Sequence, residues 1–177
     1  MNNLIKTVIL STLLITLTAC NSGVDSSAIP QKTPAEQITA LELAGKIPSN
    51  LDRTDTLAGI DANGNGIRDD VDAYILAQFT PSQQPVARQM AKSVQKEILV
   101  DKSDNIAVRL AQRESSRAIN CIYDKYPSRT DAVLSRRLFD EITAITTNTK
   151  PRLLAYLAMS DALDGTVLSI STGDTCE

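Results

Sequence analysis

The sequence predicts an all-α fold, a compact bundle of about five helices preceded by a polar tether and one turn-rich loop. Three observations predict it. Apolar residues recur three and four apart from Asp70 to Leu163, the period of one helix face. Prolines and glycines fall between those runs rather than inside them. No repeated alternation of apolar and polar residues argues for a sheet.

Each element follows from its residues. Pro34 opens a short helix whose apolar residues are Ile38, Leu41 and Leu43, and Gly45 and Pro48 end it. A stretch without clear period runs to Gly66. From Asp70, Val71, Tyr74, Ile75 and Phe79 fall at i, i+3, i+4 and i+8. Pro81 and Ser82 break that helix; Ser82 is placed to cap the next, with Pro85 in its first turn. Val86, Met90, Val94 and Ile98 then repeat every four residues. Ser103 is placed to cap a long helix with a stripe of Ala107, Leu110, Ala111, Ala118, Cys121 and Ile122, and Pro127 stops it. Thr130 opens the next, with Leu134, Leu138, Ile142 and Ile145 inward. Pro151 stands near the start of the last, with Leu153, Leu154, Leu157 and Leu163 inward, and Gly165 closes it. The tail from Thr166 to Glu177 holds a short β-like run, Val167 to Ile170, expected as an extended strap.

Composition narrows the chemistry. Of 177 residues, 42% are hydrophobic and 22% charged, as in a soluble globular domain. The 18 Lys and Arg against 21 Asp and Glu leave a net charge of -3, which argues against a nucleic-acid partner. The chain has neither His nor Trp. That removes Ser-His-Asp and Cys-His schemes and the usual zinc sites.

The first residues read as an address. Lys6 and the amino group precede an uncharged run from Thr7 to Leu17, and small residues follow, the layout of an export signal over 1–19. The run is too short to be a confident membrane-spanning helix, which needs about 20 apolar residues. Leu17-Thr18-Ala19-Cys20 resembles the lipobox of bacterial lipoproteins. The resemblance implies cleavage before Cys20, acylation of that cysteine, and a membrane as partner through its acyl chains. It also implies a place in the bacterial cell envelope, and Asn21 favours the outer over the inner membrane. Residues 20–33 are the lipidated cysteine and a flexible linker, reaching about 20 Å as a random coil. Residues 34–177 are expected as a single helical domain.

Cysteine usage is consistent with export. Once Cys20 is lipidated, Cys121 and Cys176 remain to pair in an oxidising compartment.

One constellation carries chemistry. Asp61, Asn63, Asn65, Asp69 and Asp72 set oxygen-bearing side chains at relative positions 1, 3, 5, 9 and 12, with Gly66 at position 6. A hard cation such as calcium takes six to eight oxygens, and a short loop supplies them only by wrapping. Glycine permits the sharp turn. The pattern resembles the calcium loop of EF-hand proteins, and more closely the half-hands of dockerin and thrombospondin type 3 repeats. The resemblance implies side-chain oxygens from Asp61, Asn63 and Asn65, the Ile67 carbonyl, Asp69 directly or through water, and Asp72 to close the site. The same residues also make a strong turn and an acidic helix start without any metal.

The expected function is therefore a membrane-anchored envelope lipoprotein with a calcium loop, a non-enzymatic binding or structural module that takes an envelope protein as partner. Two alternatives stay open: an envelope enzyme using carboxylates, with Glu114 as its best acid, and a metal-free inhibitor or assembly factor. Glu114 is expected to pair with an arginine, from among Arg109, Arg113, Arg117, Arg136 and Arg137. Arg136-Arg137 and Lys150-Arg152 read as solvated faces.

Overall fold

The computed structural model describes residues 33–167, 171 and 173–177, which are helical with no strand. The export signal, Cys20 and the tether to residue 32 lie outside the described residues, as does most of the β-like run. None of the described helices is long and apolar enough to cross a membrane.

The elements are α1 (Pro34–Leu43), α2 (Asp69–Gln78), α3 (Gln84–Leu99), α4 (Asn105–Lys125), α5 (Ser128–Arg136), a π-helical turn (Arg137–Glu141), α6 (Ile142–Thr146) and α7 (Lys150–Ala162). α5, the π-turn and α6 run on as one rod, so the described helices form six rods. The inward residues Leu134, Leu138 and Ile142 are spaced by four. That spacing drifts around a regular helix, and a wider π turn takes up the drift.

α3 is the axis. It touches α2, α4, the π-turn, α6 and α7. A helix with this many neighbours buries most of its surface, and α3 buries Gln89, Ser93, Gln95 and Glu97 as well as Val86, Met90, Val94 and Ile98, leaving Lys92, Lys96 and Leu99 exposed. Its polar residues find partners across the bundle. Gln95 Nε2 donates to the Ala58 carbonyl at 3.0 Å and Gln89 Nε2 to that of Thr175 at 2.8 Å.

α1 stands apart energetically. Thr33 and Glu36 form a capping box, in which Thr33 N–H donates to the Glu36 carboxylate at 2.7 Å. None of its residues is buried, so Ile38, Leu41 and Leu43 build no core.

Several expectations shift. The cap of α4 is Asp104, whose Oδ1 accepts from Ile106 N–H at 2.9 Å and Ala107 N–H at 3.1 Å. Ser103 instead donates its hydroxyl to Asp101. Ser82 does not cap α3; Gln83 holds that position without a side-chain bond. The rod after Pro127 starts at Ser128 and kinks at Asp131, not at Thr130. In α4 Ala111, Ala118, Cys121 and Ile122 are buried as expected, but Val108 is buried with them while Leu110 is exposed. The largest change is in α7. Leu153, Leu154 and Leu157 are exposed, and the buried residues are Arg152 and Met159. The helix is turned so that Arg152 meets the loop ahead of α2, because that residue finds polar partners there that no leucine would satisfy.

Cys121 and Cys176 form a disulfide with Cα atoms 5.0 Å apart. It ties the last residues to α4.

Candidate functional site

The loop from Asp61 to Asp72 folds by local hydrogen bonds. The Asp61 carboxylate accepts from Asn65 N–H at 3.1 Å and from Gly66 N–H at 2.8 Å. Asn63 Oδ1 accepts from Asn65 N–H at 3.0 Å, and Asn65 Oδ1 from Ile67 N–H at 2.8 Å. Each side chain thus bonds backbone a few residues ahead, and the chain wraps. Gly64 and Gly66 take φ of 68° and 83°, in the left-handed region that a side chain opposes. Ile67 is buried in the main core. The Asp69 carboxylate accepts from Ala62 N–H at 3.1 Å, and Asp69 N–H donates to the Ile60 carbonyl at 2.8 Å, which closes the mouth of the loop.

Asp61, Asn63, Asn65, Ile67 and Asp69 therefore belong to one closed turn of backbone. Asp72 is drawn elsewhere. Its Oδ1 accepts from Arg88 Nε at 2.7 Å, and its Oδ2 from the Asn65 amide at 3.3 Å. Among the described residues no three acids or cysteines gather as a metal group. Two of the candidate ligands are amides and a third, Asp72, is ion-paired outside the loop. The donor set fits a hard cation: Asp61, Asn63, Asn65 and Asp69 each present oxygen. The Ile67 carbonyl accepts no hydrogen bond among the described residues. Asp72 offers its Oδ2 on the Asn65 side, while Arg88 holds its Oδ1.

Beneath the loop lies a feature that periodicity did not signal. Arg68, in the loop, and Arg152, at the start of α7, are both fully buried. Arg68 donates to Asp70 through Nε and Nη2, both at 2.9 Å, and to the Thr146 carbonyl at 2.7 Å. Arg152 donates to Asp52 Oδ2 at 2.9 Å, the Asp52 carbonyl at 2.6 Å, the Thr56 carbonyl at 3.0 Å and Asn148 Oδ1 at 2.9 Å. Asp52 N–H in turn donates to Asp70 Oδ2 at 2.8 Å. The two guanidinium groups join the irregular stretch, the start of α2 and the α6–α7 corner. Burial pushes the Asp52 carboxyl up, but hydrogen bonds from Thr54 and the Arg152 guanidinium outweigh it and hold it below the usual range. Gly59 is required here: a Cβ on it would stand 2.3 Å from Arg68 Cδ. Of the expected solvated pair, Lys150 is exposed, but Arg152 is buried in this cluster.

Between the loop and α3 runs a cleft of about 850 Å³, which Asp61, Lys92, Lys96, Glu114 and Glu177 help to line. Glu114 is half-exposed and its partner is Lys96, not an arginine. α4 turns this residue to the cleft, so a lysine one helix away reaches it. Glu177 pairs with Lys92 at 3.3 Å.

The buried acid is its neighbour across the helix pair, Glu97, 7% exposed. Burial pushes its carboxyl up to about 7, against the pull of the Ser115 hydroxyl and the Lys102 ammonium. The folded form therefore holds a proton that the unfolded chain gives up near 4.5. Between those values the folded state binds more protons, so Glu97 lends stability that is fully present below the unfolded value and lost as pH rises through about 7. Glu97→Gln is expected to flatten this slope, raising stability at pH 8 over wild type by on the order of 3 kcal/mol. Urea midpoints at pH 5 and pH 8 measure it; parallel pH dependences in the two proteins would exclude the role.

Compared with known proteins, the chain matches no family model, no curated protein and no solved structure.

Proposed function

We propose that the protein is an envelope lipoprotein, anchored through Cys20, whose helical bundle carries a calcium-binding loop at Asp61–Asp72 and acts as a non-enzymatic binding or structural module. The observation that carries this reading is the closed turn built by Asp61, Asn63, Asn65 and Asp69, whose oxygens all serve one short stretch of backbone. Turn signals alone account for the glycines, but they do not call for oxygen at every alternate position. The disulfide supports an oxidising compartment, in keeping with an exported chain.

The ion would tie the irregular stretch to α2. Its effect would reach the bundle through Arg68, which lies between two ligand positions and is bonded to the α6–α7 corner. An affinity in the extracellular range, about 10⁻⁴–10⁻³ M, suits a site with two amides among its ligands. At ten to a hundred times that Kd, binding to the folded form alone adds about 1.4–2.7 kcal/mol. Calcium is thus expected to raise the melting temperature of the wild type, and Asp61→Ala is expected to abolish the rise. Equal shifts in the two proteins, followed by calorimetry without heat, would exclude the loop as the site.

A carboxylate enzyme is the second reading. The cleft does have Asp61, Glu114 and Glu177 among its lining residues. Against it, Glu114 and Glu177 are each neutralised by a lysine, an arrangement suited to cross-linking helices more than to proton transfer.

A further inference from the structure

The acid that should close the loop is held by a cation belonging to another helix. Arg88 Nε donates to Asp72 Oδ1 at 2.7 Å, with the Asp72 side chain 15% exposed. The other oxygen accepts from the Asn65 amide at 3.3 Å. Asp61, Asn63 and Asp69, by contrast, accept only from backbone amides, which leave lone pairs free.

Arg88 does not act in isolation. Lys92 and Lys96 follow it at i+4 and i+8 along α3. A Cβ on Gly66 would lie 3.4 Å from Lys92 Cγ, so the loop backbone rests against that lysine's stem. Lys92 and Lys96 pair with Glu177 and Glu114, acids from outside the loop. Of the three cations, Arg88 alone takes its acid from the loop.

We propose that Arg88 is a tethered competitor for the carboxylate of Asp72, so that a divalent cation entering the loop must displace this guanidinium. The inference rests on the calcium reading above. A metal ion drawing on the Asp72 carboxylate weakens it as an acceptor for Arg88, and the like charges of ion and guanidinium repel at close range. Arg88 therefore lowers the affinity of the loop and sets the calcium concentration at which it fills. Filling also removes the ion pair that joins α2 to α3, so the pairing of these helices responds to the ion.

The test is calorimetric titration of the full chain with calcium chloride at fixed ionic strength, for wild type, Arg88→Gln and Arg88→Lys. Arg88→Gln is expected to bind about tenfold more tightly than wild type, and Arg88→Lys, which keeps the charge, within about threefold of it. Heat from Arg88→Gln alone would also support the competition, with the wild-type loop held shut. Equal affinities in wild type and Arg88→Gln would overturn the role of Arg88 while leaving the loop reading intact. No heat from either would overturn both. A readout in the unmutated protein stands beside these: the Arg88 Nε–H signal in nitrogen-15 spectra should shift and exchange faster with water as calcium is added. A signal that stays fixed while calcium binds would overturn the displacement.

Discussion

Arg152→Met is expected to destabilise the protein by about 3–5 kcal/mol, the range for breaking a buried ion pair on one side. Methionine keeps much of the volume and loses every donor. Asp52 Oδ2, the carbonyls of Asp52 and Thr56, and Asn148 Oδ1 would each lose a partner. Unmet acceptors in a dry site cost about 1–3 kcal/mol apiece before relaxation, so the loss is not a matter of charge alone. Arg152→Lys should recover only part of it, because an ammonium is a point charge and cannot span four acceptors in a planar fork. Denaturant unfolding measures the change as a lower midpoint at constant m. In a domain of this size the melting temperature should fall by roughly 10 °C. Asp52 adds a pH signature. Its folded carboxyl titrates below the unfolded value of 3.8, so its contribution is present above that value and lost as pH falls through the folded one. Arg152→Met should weaken that acid-side loss. A midpoint within experimental error of wild type would show that the buried guanidinium is replaceable and that the irregular stretch is held by other contacts.

How much of this was legible follows the range of the interactions. The helices of the bundle could be read because α-helical periodicity and its stops are local: Pro81, Pro127 and Pro151 bound the rods near where they stand in the structure. The turn at Asp61–Asp69 was readable for the same reason, since each side chain bonds backbone within eight residues of itself. The phase of α7 was not. Leucines at 153, 154 and 157 outweigh Arg152 in any count of apolar residues, yet Arg152 with Ala155, Tyr156 and Met159 forms the face that packs. Nothing near Arg152 in the sequence announces Asp52, 100 residues away. Only the spacing of 152, 155, 156 and 159 could have hinted at it, by placing an arginine on a plausible inner face. Asp72 tells the same story at shorter range. The ligand pattern places it at the end of the loop, but its partner Arg88 belongs to the next helix, and the packing of α2 on α3 decides which of the two claims it has. Glu114 fails likewise: an ion pair could be expected of it, but its partner Lys96 comes from a neighbouring helix whose rotation the sequence does not reveal.

Replacing Cys176 by serine is expected to cost about 2–4 kcal/mol and to free the last residues from α3. Cys121 and Cys176 are 55 residues apart, and closing a loop of that length in the unfolded chain is worth about 4 kcal/mol on chain-entropy grounds. The native side offers less to lose, because the strap has other holds. Gln89 Nε2 donates to the Thr175 carbonyl at 2.8 Å, and Glu177 N–H donates to Gln89 Oε1 at 3.2 Å. Asn120 Nδ2 donates to the Ser171 carbonyl, and Lys92 pairs with Glu177. Two of these bonds converge on Gln89, which is buried in the central helix. If the strap leaves, the Gln89 amide is exposed to water along with the core side of Cys121, so the remaining bonds should fail together rather than one at a time. Hydrogen exchange distinguishes the cases. Faster exchange at Thr175 to Glu177 and around Gln89, with a lowered denaturation midpoint, is the expected pattern for Cys176→Ser. Unchanged exchange there, with the midpoint lowered all the same, would mean that the disulfide acts only on the unfolded chain and that the hydrogen bonds alone seat the tail. Because Glu177 also lines the cleft beside the loop, the first pattern would further make the thiol–disulfide state of this pair a determinant of how the cleft beside Asp61 is built.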